Sequence, residues 1–141
     1  MKIYFAGSIR SGRADVELYS EMINHLKNFG EVFTEHVGRK DLALNGEDGL
    51  SDRSIHKRDL DWLTLSDAVV AEVSTPSLGV GYEIGRGLEM KKHILCVFRP
   101  QEGKMLSAMI AGCPDVTVKS YSSLEEVKSI IDDFFKSLKT E

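Results

Sequence analysis

The stretch Ala68-Val69-Val70-Ala71-Glu72-Val73, followed three residues later by Ser77-Leu78-Gly79-Val80-Gly81-Tyr82-Glu83-Ile84-Gly85, decides how this chain is read. The first part is a short, nearly unbroken apolar run, the pattern of a strand buried on both faces. The second reads as a glycine-containing turn opening a helix, and strand, turn and helix in that order build parallel sheets. Helix N-termini attract anions through unpaired N–H groups and the helix dipole. The turn is therefore a candidate anion site, and Glu83 near it is expected to stay ionised. That state suits a nucleophile or an electrostatic stabiliser better than a general acid.

The same unit recurs along the chain. Ile3 to Ala6 reads as a strand ending at the loop Gly7-Ser8-Ile9-Arg10-Ser11-Gly12-Arg13. Val16, Tyr19, Met22, Ile23 and Leu26 follow at helical spacing, and Gly30 supplies the stop. Glu31 to Val37 predicts a second strand, and Gly38 to Ser51 a long polar loop. Asp52 is placed to cap a helix over Arg53 to Leu65. After Ala68 to Val73 and the helix to about Lys91 come a strand at His93 to Phe98, a short helix at Leu106 to Ala111 and a strand at Val116 to Tyr121. Ser122 and Glu125 have capping-box spacing ahead of a helix whose stripe is Val127, Ile130, Ile131, Phe134 and Leu138. This alternation predicts an α/β fold: a five-stranded parallel sheet with helices on both faces, flavodoxin-like or Rossmann-like, in one domain over residues 1–141. Ligands of such sheets sit at the carboxyl ends of the strands, where both glycine-containing turns open.

With 141 residues, 42% hydrophobic and 28% charged, the chain can bury a core without disulfides or metal. Its net charge of −4, without long runs of one sign, argues against a nucleic-acid polymer as partner. No apolar run reaches membrane-spanning length, and the sequence starts on a strand pattern rather than a signal peptide. Cys96 and Cys113 read as reduced thiols, which places the protein in the cytoplasm, or in the nucleus of a eukaryote.

Several residues are candidates for chemistry. At roughly 100° per residue, Ile55, Asp59, Trp62 and Leu63 share one helix face, so Asp59 lies in an apolar stripe while Asp61 faces solvent. A carboxylate so placed is costly unless paired, neutralised or used; a structural partner such as an arginine and a catalytic role are equally consistent with the pattern. For Glu83 the plain alternative is a first-turn acid that complements the dipole. Ser8, Arg10, Ser11 and Arg13 could bind a phosphate through hydroxyls and guanidinium, or form a solvated turn. Tyr4 is a core residue by type, with a hydroxyl able to reach a carboxylate. His36 is the histidine nearest the ligand edge, and Ser107 reads as an ordinary helix serine. The four histidines show no metal-ligand spacing. Gly79, Gly81 and Gly85 form GxGxxxG rather than the dinucleotide GxGxxG, and the first loop lacks the GK[ST] ending of a P-loop.

Tyr4-Phe5-Ala6-Gly7-Ser8-Ile9-Arg10, Thr34-Glu35-His36, Asp59-Leu60-Asp61-Trp62-Leu63, Pro76-Ser77-Leu78-Gly79-Val80-Gly81-Tyr82-Glu83, Phe98-Arg99-Pro100 and Leu106-Ser107-Ala108-Met109-Ile110 occur in this order. Together they resemble the 2'-deoxynucleoside 5'-monophosphate N-glycosidases (the Rcl proteins) of the nucleoside 2-deoxyribosyltransferase superfamily, over nearly the whole chain. The resemblance implies hydrolysis of a deoxynucleotide to free base and 2-deoxyribose 5-phosphate, with no metal or other cofactor. It makes Glu83 the nucleophile, Asp59 the group that assists base departure and Tyr4 the residue that orients Glu83. It puts the 5'-phosphate on the first loop, at Gly7, Ser8, Ile9 and Arg10, and on Ser77 and Gly79. It also implies a homodimer in which Ser107 and Met109 complete the neighbouring subunit's site. An anionic carboxylate under the sugar would stabilise its oxocarbenium character, and a second carboxyl, raised in pKa by apolar surroundings, would help the base leave. The Gly38 to Ser51 loop is shorter than the resemblance leads one to expect, and Ser11 stands where relatives often have glycine.

Three other activities compete. A deoxyribosyltransferase of this superfamily usually carries an aspartate in the Ser77-Leu78-Gly79 turn for a free 5'-hydroxyl, whereas a serine and backbone amides favour phosphate. A CMP-type ribonucleotide N-glycosidase differs at few positions; the bulk and hydroxyl of Tyr4 lean towards deoxyribose. A non-catalytic nucleotide-binding module predicts binding without turnover.

Overall fold

The computed structural model describes residues 1–9, 13–36 and 50–141, apart from the side chains of Arg13 and Ala14. Five parallel strands, β1 (Lys2–Gly7), β2 (Glu31–Phe33), β3 (Ala68–Glu72), β4 (His93–Phe98) and β5 (Thr117–Ser120), pair in the order β2-β1-β3-β4-β5. They alternate with α1 (Arg13–Leu26), α2 (Asp52–Leu65), α3 (Leu78–Glu89), α4 (Ala108–Ala111) and α5 (Leu124–Lys139). The predicted sheet and helix order hold, and the strand order reverses between β1 and β3. A crevice opens at such a switch point, outside the strands' carboxyl ends.

Alternation along β1 divides the core between the two faces. Ile3 and Phe5 join Tyr19, Met22 and Leu26 of α1 and Val127, Ile131 and Phe135 of α5. Tyr4 and Ala6 point the other way, to Leu63 of α2 and Val80 and Ile84 of α3. This parity sends Tyr4 towards α2 and α3, the helices that carry Asp59 and Glu83. Gly30 is required by a close approach, because a Cβ there would lie 2.0 Å from the Met1 carbonyl oxygen. No described helix is long and apolar enough to cross a membrane.

Local boundaries depart from the sequence reading where hydrogen bonds choose between neighbouring residues. Ser51, not Asp52, caps α2, accepting from the Ser54 N–H at 3.1 Å. The last capping box is shifted by one: Ser123 accepts from the Glu126 N–H at 3.2 Å, and Glu126 accepts from the Ser122 N–H at 3.1 Å. Strand β2 stops at Phe33; the predicted end at Val37 and nearly all of the Gly38 to Ser51 loop lie outside the described residues. Gly79, Gly81 and Gly85 are helical rather than part of a turn, since α3 begins at Leu78 with Ser77 as its cap.

Candidate active site

A cavity of about 520 Å³ opens between the ends of β1 and β3, lined by Tyr4, Gly7, Ser8 and Ile9 from the first strand and loop and by Ser77, Gly79 and Glu83 from the third unit. Glu35 and His36, beyond β2, close its side. A second lobe of about 220 Å³ adjoins it, lined by Ile55, His56, Leu60 and Tyr82. Glu35, Gly79 and Glu83 line both, so the carboxyls stand at the junction.

Glu83 lies in the second turn of α3, beyond close reach of the helix N-terminus. The Tyr4 hydroxyl donates to its carboxylate. Burial and the neighbouring carboxylates push the Tyr4 phenol far above its usual range, so this donor keeps its proton. Gly79 leaves the approach open: a Cβ there would lie 4.0 Å from Glu83 Oε1. The expectation that Glu83 stays fully ionised is corrected. Burial pushes its pKa up to about 7, the Tyr4 hydrogen bond opposes this, and the Asp59 charge adds to it. Desolvation outweighs a dipole that acts only within the first turn.

Asp59 is buried, as its place in the apolar stripe predicts, and is paired with its neighbour: Arg58 Nε and Nη2 reach Asp59 Oδ1 at 2.9 and 2.8 Å. Arg58 also stacks over Trp62, 4.6 Å from the ring centroid, and Trp62 stacks on Phe33. Arg58 Nη2 lies 3.9 Å from Glu35 Oε2. Glu35 is the residue that the sequence reading quoted but assigned no role. Burial pushes its pKa up to about 8, with the hydrogen bond to Asp59 and the charges of Asp59 and Glu83 acting in the same direction and Arg58 opposing them. Glu35 and Asp59 thus form a carboxyl pair beside Arg58, and Glu35 is the member that burial pushes up. A carboxylate just after a strand, on the ligand edge, was the available signal.

His36 Nε2 donates to the Gly7 carbonyl at 3.0 Å and packs edge-on against Tyr19, bracing the first loop from inside the cavity. Ser8 is buried in the cavity wall, while Arg10 and Ser11 lie outside the described residues. Ser77 Oγ accepts from the Val80 N–H at 3.3 Å, which leaves its own proton for a ligand. Ser107 caps α4 and, with Met109, is exposed; neither lines the chain's own cavity. Asp61 pairs with Lys57 at 2.7 Å on the exposed face of α2.

The raised carboxyls make a stability prediction with a definite sign. Glu35 and Glu83 have folded-state pKa values of about 8 and 7 against 4.5 when unperturbed. Between those limits the folded state holds protons that the unfolded state releases, so stability falls as pH rises through 7 to 8. Glu83→Gln, which removes a buried charge, should melt roughly 3 °C or more above the parent at pH 8. The gap should close towards pH 5, where both side chains are neutral; thermal denaturation at the two pH values checks it.

The family description "Nucleoside 2-deoxyribosyltransferase" matches residues 3–132. A Tetraodon nigroviridis protein named 5-hydroxymethyl-dUMP N-hydrolase is 52% identical, over 99% of this chain and 100% of its own length. A human protein of the same name is 49% identical over 96% of this chain and 79% of its own. Among solved structures, the Clostridium botulinum CMP N-glycosidase BcmB superposes with a TM-score of 0.71 at 20% identity, covering 95% of this chain and 99% of that one. A 2-deoxyribosyltransferase from Bacillus psychrosaccharolyticus gives 0.65 at 18% identity, covering 91% and 90%. The structural likenesses carry the fold, and the match along the sequence carries the kinship: this chain belongs to the nucleoside 2-deoxyribosyltransferase family.

Proposed function

We propose that the protein hydrolyses the N-glycosidic bond of 2'-deoxynucleoside 5'-monophosphates, giving a free base and 2-deoxyribose 5-phosphate. The observation that carries this reading is the Glu83 carboxylate, held by Tyr4 beside the Glu35–Asp59–Arg58 group at the junction of the two lobes. The relatives named 5-hydroxymethyl-dUMP N-hydrolase support the reaction and bring a 5-substituted deoxyuridylate into the substrate class.

In this account the 5'-phosphate lies in the larger lobe, against the loop Gly7 to Arg10 and the start of α3 at Ser77 and Gly79. Hydroxyls and the N–H groups of a helix start suit an anion. The base lies in the smaller lobe beside Ile55, Leu60 and Tyr82. Ionised Glu83 attacks C1' as the C1'–N bond breaks, and a proton held between Glu35 and Asp59 passes to the departing base. Water then attacks C1', returning Glu83 as carboxylate and supplying the sugar's new hydroxyl; its remaining proton restores the carboxyl pair. A sugar without a 2'-hydroxyl forms the intervening cation more readily.

The site is completed in a homodimer, through Ser107 and Met109 of a second copy. Met105, Met109 and Leu78 are 91%, 85% and 96% exposed in the single chain, large apolar side chains that association would cover. Met109→Asp should shift the protein towards monomer in sedimentation and abolish turnover. Mixing it with Glu83→Ala protein should restore activity, because a mixed dimer holds one complete site.

The function itself is tested by incubating the pure protein with each deoxynucleoside 5'-monophosphate, 5-hydroxymethyl-dUMP, the ribonucleotides and the unphosphorylated deoxynucleosides, with and without an acceptor base. Free base and 2-deoxyribose 5-phosphate from the phosphorylated deoxy substrates are expected. Sugar transfer from unphosphorylated substrates would instead make it a transferase, and binding without turnover a nucleotide-binding module.

A further inference from the structure

The motif Phe98-Arg99-Pro100 has no part in the chemistry above, yet Arg99 joins the two turns that form the proposed phosphate end. Its backbone N–H donates to Ser74 Oγ at 2.8 Å, in the connection from β3 to Ser77. Its guanidinium Nη2 donates to Asp15 Oδ1 at 2.9 Å, in the first turn of the helix that follows the first loop. Beneath them lies Glu72, 1% exposed, paired in register with Gly7 where that loop begins. Glu72 accepts from the Ser74 N–H at 2.6 Å and from the Tyr121 hydroxyl at 3.1 Å.

These placements pose an electrostatic problem. Asp15 and Glu72 stand behind the loop and helix start that would receive a phosphate, and Asp15 is only 18% exposed. The Asp15 carboxylate there repels a phosphate dianion, and its partial burial weakens the screening that would relieve it, while burial draws Glu72 towards its neutral form. Arg99, ion-paired to Asp15 and electrostatically coupled to Glu72, supplies the compensating charge.

We infer that Arg99 is a charge-compensating and positioning residue for the phosphate end: it offsets Asp15 and ties the β1 and β3 turns into one cradle. The inference rests on the reading of this cavity as a phosphate site. Arg99→Gln should raise the KM for a deoxynucleoside 5'-monophosphate, and the inhibition constant of 2-deoxyribose 5-phosphate, by about tenfold or more, with kcat within about twofold. Adding Asp15→Asn to Arg99→Gln should recover most of that affinity, because the charge needing compensation is gone. A knitting role alone predicts no such recovery, since an asparagine at position 15 removes a charge without restoring the bonds that Arg99 made.

The experiment measures both constants, and melting temperatures, for the parent, Arg99→Gln, Arg99→Lys, Asp15→Asn and the double variant. Arg99→Lys is expected to fall between parent and glutamine. Unchanged KM in Arg99→Gln, a parallel loss of kcat and melting temperature, or a double variant weaker than the single one would each overturn the inference. Should Arg99→Gln fail to fold, Ser74→Ala removes only the hydroxyl bridging the turn and should raise KM selectively, by a smaller factor; an unchanged KM there overturns the inference as well. Failure of the parent to turn over phosphorylated substrates would instead overturn the phosphate reading itself.

Discussion

Glu83→Ala should lower base release by roughly four orders of magnitude or more, while deoxynucleotide still binds, the scale of loss seen when a nucleophile is removed from a preorganised site. Affinity is expected to survive because the phosphate end depends on the first loop and the start of α3 rather than on Glu83. Binding could even tighten, since a carboxylate pushed up to about 7 is a buried charge that ligand binding further desolvates. Single-turnover kinetics with calorimetric measurement of affinity would separate these quantities. A loss of affinity matching the loss of rate would move Glu83 from chemistry to binding.

The second large effect concerns Glu35. Glu35→Gln should reduce kcat by about a hundredfold to a thousandfold, the usual range for a general acid, and should change the pH profile. In the parent, kcat/KM rises as Glu83 ionises through about 7 and falls as Glu35 loses its proton through about 8, giving a narrow bell with its maximum between them. The substrate's own phosphate titrates at about 6, below both limbs. In Glu35→Gln the alkaline limb should disappear. A limb that survives unchanged would take the proton away from Glu35, leaving Asp59 or a water to protonate the base.

The sheet was legible because its central strands β1, β3 and β4 are buried on both faces and therefore read as unbroken apolar runs, with helical spacing between them. The caps slipped by one residue, from Asp52 to Ser51 and from Ser122 to Ser123, because the neighbours are near-equal cap types and only the bonded N–H distinguishes them. Asp59 could be found from helix arithmetic, and Glu83 from its place after a strand at the ligand edge. The charge state of Glu83 could not, since it depends on burial that arises only when β1 and α3 pack together. Glu35 escaped assignment because its partners Arg58 and Asp59 reach it across space from another helix, beyond a strand of three residues. Arg99 stood in a visible motif, but its partner Asp15 is 84 residues away, and nothing local announces that pair.

The most direct test of the central claim is the stereochemistry at C1' when methanol competes with water as acceptor. Attack by Glu83 followed by attack of the acceptor comprises two inversions and returns the original configuration, as for carboxylate nucleophiles in retaining glycosidases. The expected product is methyl 2-deoxyribofuranoside 5-phosphate of β configuration, identified by nuclear magnetic resonance before any isomerisation. The α anomer would mean that the acceptor displaces the base directly, with Glu83 as a base or electrostatic stabiliser, and would contradict the covalent role assigned to it.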